Sequence, residues 1–263
     1  MAGPTLECRE LTCGYHGKTV LSGVSFTAQA GESIALLGAN GSGKSTLLKT
    51  INRLIPALSG QVLAGGRAVS ALKVAELARE IASVPQDEQT RFEFSVREIV
   101  TMGRLSFGSG IFDTPEDVIA AEKAMQVAGC EELAERPITE LSGGERQRVL
   151  IARAIAQDAP ILLMDEPTAH LDPPHQIALA NIARNLAAGG RIVISAVHDL
   201  NLAPVLATRA LLIANGRIVL DDTVEAVLTS PLLDEAYGSR FERVRADSGR
   251  LLIVPAHIQP DQP

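Results

Sequence analysis

Tryptophan is absent from the 263 residues, and aromatic side chains of every kind make up 3% of them. A core without large rings has to be filled by Ala, Leu, Ile and Val, which suits packed layers of helix and sheet. With 46% hydrophobic residues, the chain can bury a substantial core, as one large domain or as two small lobes. Cysteine is scarce: Cys8, Cys13 and Cys130 lack the paired spacing of a zinc site or a disulfide scaffold. They read as small apolar residues in a reducing compartment. No apolar stretch approaches the roughly 20 residues needed to cross a bilayer. The longest runs, residues 161–164 and 192–197, read as buried strands, so if the protein serves a membrane, something else spans it. Residues 1–7 have neither a basic start nor an apolar run, and a signal peptide is not expected. A basic face is also missing. The formal charge is -7, with acids and bases interspersed, which leaves no electrostatic footprint for nucleic acid. There is no internal repeat and no low-complexity segment.

What is present reads as alternating strands and helices. Residues 6–13 and 20–28 are rich in β-formers. Gly31-Glu32 marks a turn before a buried strand at 33–37. A Gly-rich loop follows at once, and residues 45–53 open a helix. Residues 74–82 have helical character, overlapping a short apolar strand at 81–84. The stretch 91–128, with Phe92, Phe94 and a Gly/Ser patch at 106–110, reads as an inserted, mostly helical segment. A strong helix over 143–157 is capped by Ser142, whose hydroxyl can accept from first-turn amides. A strand at 161–164 leads to a helix that starts at Asp172-Pro173 and stops at Gly189-Gly190. Further strands are expected at 191–196, 210–214 and 251–254. The tail after Tyr237 is too short for a separate regulatory domain.

The chemistry concentrates in three places. Gly38-Ala39-Asn40-Gly41-Ser42-Gly43-Lys44-Ser45-Thr46 satisfies the phosphate-loop pattern between a strand and a helix. Its glycines let backbone amides face a polyphosphate, and the helix start adds its positive dipole end. Lys44 can reach the terminal phosphates, and the Ser45 hydroxyl can ligate magnesium. Second, the apolar strand 161–164 ends in Asp165-Glu166, at the carboxyl edge where such sheets bind ligands. Asp165 can hold magnesium, and Glu166 is placed to polarise an attacking water. Third, Leu141-Ser142-Gly143-Gly144-Glu145-Arg146-Gln147 runs into a helix. It is either a well-capped helix start or a second amide-rich anion site. One chain with two phosphate sites is explained by a head-to-tail dimer. Each ATP then lies between the loop of one chain and Ser142, Gly143, Gly144 and Glu145 of a second copy.

With these motifs in this order over residues 6–237, the sequence resembles the nucleotide-binding subunits of ATP-binding-cassette (ABC) transporters. Residues 141–147 match the signature motif that sets that family apart from other phosphate-loop ATPases. The resemblance implies an α/β fold: a phosphate-loop NTPase core with a mixed sheet, an antiparallel β subdomain and an inserted α-helical subdomain. It implies one cassette over residues 1–240, with the helical insertion at about 87–158 and a short C-terminal extension at 241–263. It assigns Tyr15 to stacking on adenine, the alternative being a strand aromatic in the core. Gln86 matches the glutamine that contacts magnesium and the attacking water. Asp172 matches the acidic residue that communicates across the dimer, and His198 the switch histidine at the γ-phosphate. Met164 and His170 depart from the commoner residues at their positions, and neither threatens hydrolysis.

Residues 92–104, the run Thr168-Ala169-His170-Leu171-Asp172 with His175-Gln176, and residues 233–238 resemble importers of iron-siderophore, haem and cobalamin complexes. That resemblance implies ATP and magnesium as cofactors, two permease subunits as partners, and a substrate-binding protein met indirectly. It places the chain peripherally on the cytoplasmic face of the cell membrane, with residues 86–128 as the docking surface for the permease. An exporter ATPase is the alternative. A soluble ABC protein of DNA repair or translation is disfavoured by the single cassette and the lack of a heptad run.

Overall fold

The computed structural model describes residues 3–86, 93–107, 114–169 and 171–256. Arg91, Phe92, His170 and residues 108–110 of the Gly/Ser patch lie outside the described residues. The first hairpin pairs β1 (Thr5–Tyr15) with β2 (Lys18–Gln29), antiparallel. It turns at His16 and Gly17, both in the left-handed region. The strand β3 (Ser33–Leu37) and the helix α1 (Lys44–Ile51) flank the Gly-rich loop. Then β4 (Ser59–Ala64) and the two-residue β5 (Arg67–Ala68) return to the hairpin, giving a four-stranded sheet of order β2-β1-β4-β5.

The remaining elements build the central layer. After α2 (Val74–Glu80) and β6 (Ile81–Val84) come three helices: α3 (Val96–Thr101), α4 (Pro115–Ala128) and α5 (Gly143–Ala156). The strand β7 (Ile161–Asp165), the helix α6 (Pro173–Ala188), the strand β8 (Ile192–Ala196) and the short α7 (Ala203–Leu206) follow. The strands β9 (Arg209–Ala214) and β10 (Arg217–Thr223) form a hairpin. Next are α8 (Val224–Thr229), α9 (Pro231–Tyr237) and a closing hairpin of β11 (Phe241–Arg245) and β12 (Leu251–Pro255). The central sheet has the order β10-β9-β3-β8-β7-β6, parallel except for β10 at its edge. The expected α/β fold with a mixed sheet, an antiparallel sheet and helices inserted between β6 and β7 is therefore present.

The central strands are buried on both faces, which is why β3, β7 and β8 read as continuous apolar runs. Successive side chains point to opposite faces. Ile34, Leu36, Ile161 and Leu163 join a core shared with α1 and the antiparallel sheet. Ala35, Leu37, Leu162 and Met164 join a second core with α3, α4, α5 and α6. The helix starts are fixed locally. Ser95 with Glu98, Thr114 with Asp117, and Ser142 with Glu145 each close a reciprocal capping box.

Several elements differ from the sequence reading, which did not name β4, β5, α8, α9 or β11. The helix expected over 74–82 stops at Glu80, because Ile81 enters the sheet beside Ile161. The helix after the Gly-rich loop ends at Ile51, with Arg53 in the left-handed region at φ 56°. The strand β10 was not anticipated, although Asn215-Gly216 between two apolar runs is a hairpin-turn signal. All three cysteines are free and buried, and burial pushes Cys130 up to about 12, so none is a ready nucleophile. Among the described residues, no helix is long and apolar enough to cross a membrane.

Candidate functional site

The site begins where β3 ends. Gly38 has φ 150°, and a Cβ there would lie 2.4 Å from the Ile213 carbonyl oxygen and 2.7 Å from Ser42 Oγ. No other residue lets the chain leave the sheet so close to β9. Gly43 has φ 107°, and a Cβ on it would meet the Leu21 side chain at 2.8 Å. Gly41 is the opposite case. With φ 77° and nothing within 4 Å of a would-be Cβ, its backbone faces open space.

Lys44, the first residue of α1, is only 4% exposed. Its ammonium donates to the carbonyl oxygens of Gly38 (2.7 Å) and Ala39 (3.2 Å). Burial pushes its pKa below the usual lysine value, and the nearby charges of Glu166 and Asp165 oppose that shift. Ser42 Oγ is buried without a hydrogen-bond partner. A desolvated ammonium, an orphaned hydroxyl and an open run of backbone around Gly41 all gain partners from a polyphosphate. A cavity of about 130 Å³ lies against these groups, lined by residues of the loop and by Glu166. The residues present therefore fit ATP phosphates.

The acidic edge comes from β7. Ser45 Oγ donates to Asp165 Oδ1 at 2.8 Å, across the junction of α1 and β7. A hydroxyl and a carboxylate so placed are hard oxygen donors that suit magnesium, which takes few protein ligands and completes its shell with phosphate and water. Among the described residues, no group of three or more acidic, His or Cys side chains is placed to hold a metal ion.

Glu166 occupies the left-handed region at φ 47°. A non-glycine residue held there, immediately before Pro167, marks strain of the kind that collects at functional sites. The turn swings its carboxylate out of the strand line, where Gln86 Nε2 donates to Glu166 Oε2 at 2.9 Å. A second cavity of about 570 Å³ joins Asn40, Gly41, Ser45, Gln86, Glu166 and His198. Six predicted residues, from the loop and from three other places in the chain, thus face one cleft at the carboxyl ends of the parallel strands.

Other predicted residues lie apart. Tyr15 is 40% exposed at the hairpin end of β1, which excludes the core-aromatic reading. It lines neither cavity, but its hairpin carries Val20 and Leu21, which press on Gly43. Ser142, Gly143, Gly144 and Glu145 also line neither cavity. Glu145 Oε2 accepts from the Ser142 amide (2.8 Å) and hydroxyl (2.7 Å), and Arg136 approaches Glu145 Oε1 at 3.3 Å. These bonds to Ser142 hold the Glu145 carboxyl below its usual value. Asp172 begins α6 and pairs with His175 Nδ1, an interaction that likewise lowers its pKa.

The sequence reading missed one contact at the loop. The Gly38 amide donates to the Tyr237 hydroxyl at 3.1 Å. Partners 199 residues apart leave no local pattern. Thr168, Gln176 and Asp199 also line the larger cavity.

A parallel sheet whose strand runs through a glycine-rich loop into a lysine-led helix, beside an acidic strand end, defines a phosphate-loop nucleotide-binding cassette. The ABC transporter family model matches residues 21–169. The chain belongs to the ABC transporter family. It is 42% identical over 237 residues to the cobalamin import ATP-binding protein BtuD of Halobacterium salinarum, covering 90% of this chain and 59% of the relative. The chain thus spans about three-fifths of that relative's length. It is 43% identical over 248 residues to the hemin import ATP-binding protein HmuV of Streptomyces coelicolor, covering 93% and 87%. Among solved structures, a dimeric ATP-binding cassette in a post-hydrolysis state bound to ADP and Pi is similar at a TM-score of 0.75 and 27% identity, covering 83% of this chain and 98% of that one.

Proposed function

We propose that this chain hydrolyses ATP to power a membrane importer of iron-siderophore, haem or cobalamin complexes. The observation that carries the ATPase reading is the pair of cavities that share Ser45 and Glu166, one lined by Lys44 and the other by Gln86, with Asp165 accepting from Ser45. The import reading is supported by the names of the relatives. The cargo never touches this subunit, so no residue here selects it.

Lys44, the Ser42 hydroxyl and the loop amides of Gly41, Gly43, Lys44, Ser45 and Thr46 grip the phosphates. Tyr15, on its exposed turn, is the adenine platform. Ser45, Asp165 and Gln86 would hold magnesium, which supplies charge neutralisation for the transferring phosphoryl group. Glu166 accepts a proton from the attacking water, and the Gln86 amide keeps its carboxylate aimed. His198 closes the far side of the cleft and orients the same water. Because Ser142 to Glu145 lie off this cleft, they complete the site of a second copy in a head-to-tail dimer, with Asp172 contacting across the seam. Residues 87–158 act as the helical subdomain within one cassette of residues 1–240, residues 86–128 dock on the permease, and 241–263 is a short extension. The chain works at the cytoplasmic face of the membrane.

The test is a purified-chain assay of MgATP hydrolysis, followed by co-purification with the permease and uptake of siderophore, haem and cobalamin in a deletion strain. No hydrolysis in the presence of the permease sinks the ATPase reading. Unchanged uptake of all three cargoes sinks the importer assignment.

A further inference from the structure

The segment from Tyr237 to Ile253 touches the nucleotide site at two points that the mechanism does not use. At the first, the Tyr237 hydroxyl accepts the Gly38 amide at 3.1 Å. Gly38 is buried, so losing that hydroxyl would remove the partner of a buried N–H. Burial pushes the Tyr237 phenol pKa up, which keeps the hydroxyl neutral. The ring stands edge-on to Phe241 with centroids 5.7 Å apart, joining α9 to β11.

The second point lies just past His198. Asn201 Nδ2 donates to the Ile253 carbonyl at 3.1 Å, and its Oδ1 accepts the Ile253 amide at 2.8 Å. One side chain thus pairs with β12 as a strand residue would. Arg250, on the hairpin turn, donates to the Asn201 carbonyl at 2.6 Å. Asp199 Oδ1 accepts the Asn201 amide at 2.8 Å and closes the turn from within. On the other side of His198, the Val197 amide is bonded to the Leu36 carbonyl at 3.1 Å. The His198 backbone is therefore pinned at both ends, once by β3 and once by the C-terminal hairpin.

The hairpin itself is anchored. Arg243 donates to both oxygens of Asp234 (2.7 and 3.0 Å) and to the carbonyls of Leu228, Ser230 and Phe241. Leu251 and Ile253 are buried in the same core as Val197 and Leu200.

We propose that the segment Tyr237 to Ile253 is a clamp that positions both ends of the ATPase site. Tyr237 acts as a positioning residue for the phosphate loop, and Asn201 for the His198 turn. The proposal rests on the ATPase reading above. It separates the two contacts by what each should govern. The loop holds the nucleotide before and during reaction, so Tyr237 sets affinity. His198 acts on the reacting water, so Asn201 sets turnover.

Three full-chain variants test this: Tyr237→Phe, Asn201→Ala and Arg250→Ala, the last an exposed change that leaves the core intact. ATP affinity, turnover, and amide hydrogen exchange of the nucleotide-free protein are measured on each. Tyr237→Phe should weaken ATP binding about three- to tenfold, the effect of one lost hydrogen bond, with turnover at saturating ATP unchanged. Asn201→Ala should lower turnover about tenfold with affinity within about twofold, and Arg250→Ala should do the same more weakly. Exchange should quicken at Gly38 only in the first variant, and at residues 198–202 only in the other two. Equal losses of affinity and turnover in all three variants would mark a purely structural hairpin and overturn the clamp. So would wild-type values in all three. If the wild-type chain neither binds nor hydrolyses ATP, the ATPase reading fails by itself. Site-selective exchange then still supports the clamp, and unchanged exchange rejects it.

Discussion

The phosphate loop and the segment from Ser142 to Glu145 both begin a helix with small residues and backbone amides, yet the chain treats them differently. The loop is tied into its surroundings on every side. Lys44 reaches back to Gly38, Ser45 reaches across to Asp165, Tyr237 holds the Gly38 amide, and Leu21 packs on Gly43. The other segment is held by the Ser142–Glu145 box and by Arg136 on Glu145, and Ser142 and Gly143 stay exposed. That contrast fits the proposal that the two halves of the site belong to two copies of the protein.

The largest expected effect breaks the loop side at the reacting water. Glu166→Gln keeps the shape and the Gln86 contact but cannot take a proton. Turnover should fall by roughly 10²–10⁴, while ATP binding survives. Steady-state turnover beside equilibrium ATP binding checks this, and wild-type turnover in that variant removes Glu166 from its role. Lys44→Ala should weaken ATP binding by roughly 10- to 100-fold, the loss of one or two charge-assisted bonds, read by titration calorimetry. The same change should leave the melting temperature without ATP nearly unaltered or higher, because a desolvated ammonium is removed.

Smaller effects sharpen the other half of the comparison. Ser142→Ala removes the cap and should cost about 1 kcal/mol of stability, a fall of about 2–4 °C in melting temperature. It should leave ATP affinity of the isolated chain unchanged while lowering turnover where two copies meet. A drop in isolated-chain affinity would place Ser142 in its own chain's site after all. The smallest effect concerns the C-terminal hairpin. Arg243 holds the Asp234 carboxyl below its ordinary value of 3.8. The stability this adds is fully present above the unfolded pKa and is lost as pH falls below 3.8 through the lower folded value. Melting curves from pH 6 down to 3 should therefore decline less steeply in Arg243→Ala than in the wild type.

Much of the central layer was legible because it depends on local signals. Residues 33–37 and 161–164 are unbroken apolar runs, the loop glycines sit between strand and helix, and Ser142 with Glu145 spells a cap. Gln86, Glu166 and His198 came from their places after strands in a recognised motif order, and the structure brings all three to one cleft. What escaped was set by distant partners. The ending of α2 at Glu80 is decided by Ile81 pairing with Ile161. The left-handed turn at Glu166, and the grips of Tyr237 on Gly38 and Asn201 on Ile253, join residues that share no spacing along the chain. The turn at Asn215-Gly216 did carry a local signal and was passed over.

The composite site is tested most directly by light-scattering mass with saturating MgATP, on Glu166→Gln alone and with Ser142→Glu added. The single variant, which cannot discharge its nucleotide, should double its mass. The double variant should bind ATP through an intact loop and keep the mass of one chain. A single variant that stays at one-chain mass, or a double variant that dimerises equally well, would contradict the assignment of Ser142 to Glu145 to the partner's nucleotide.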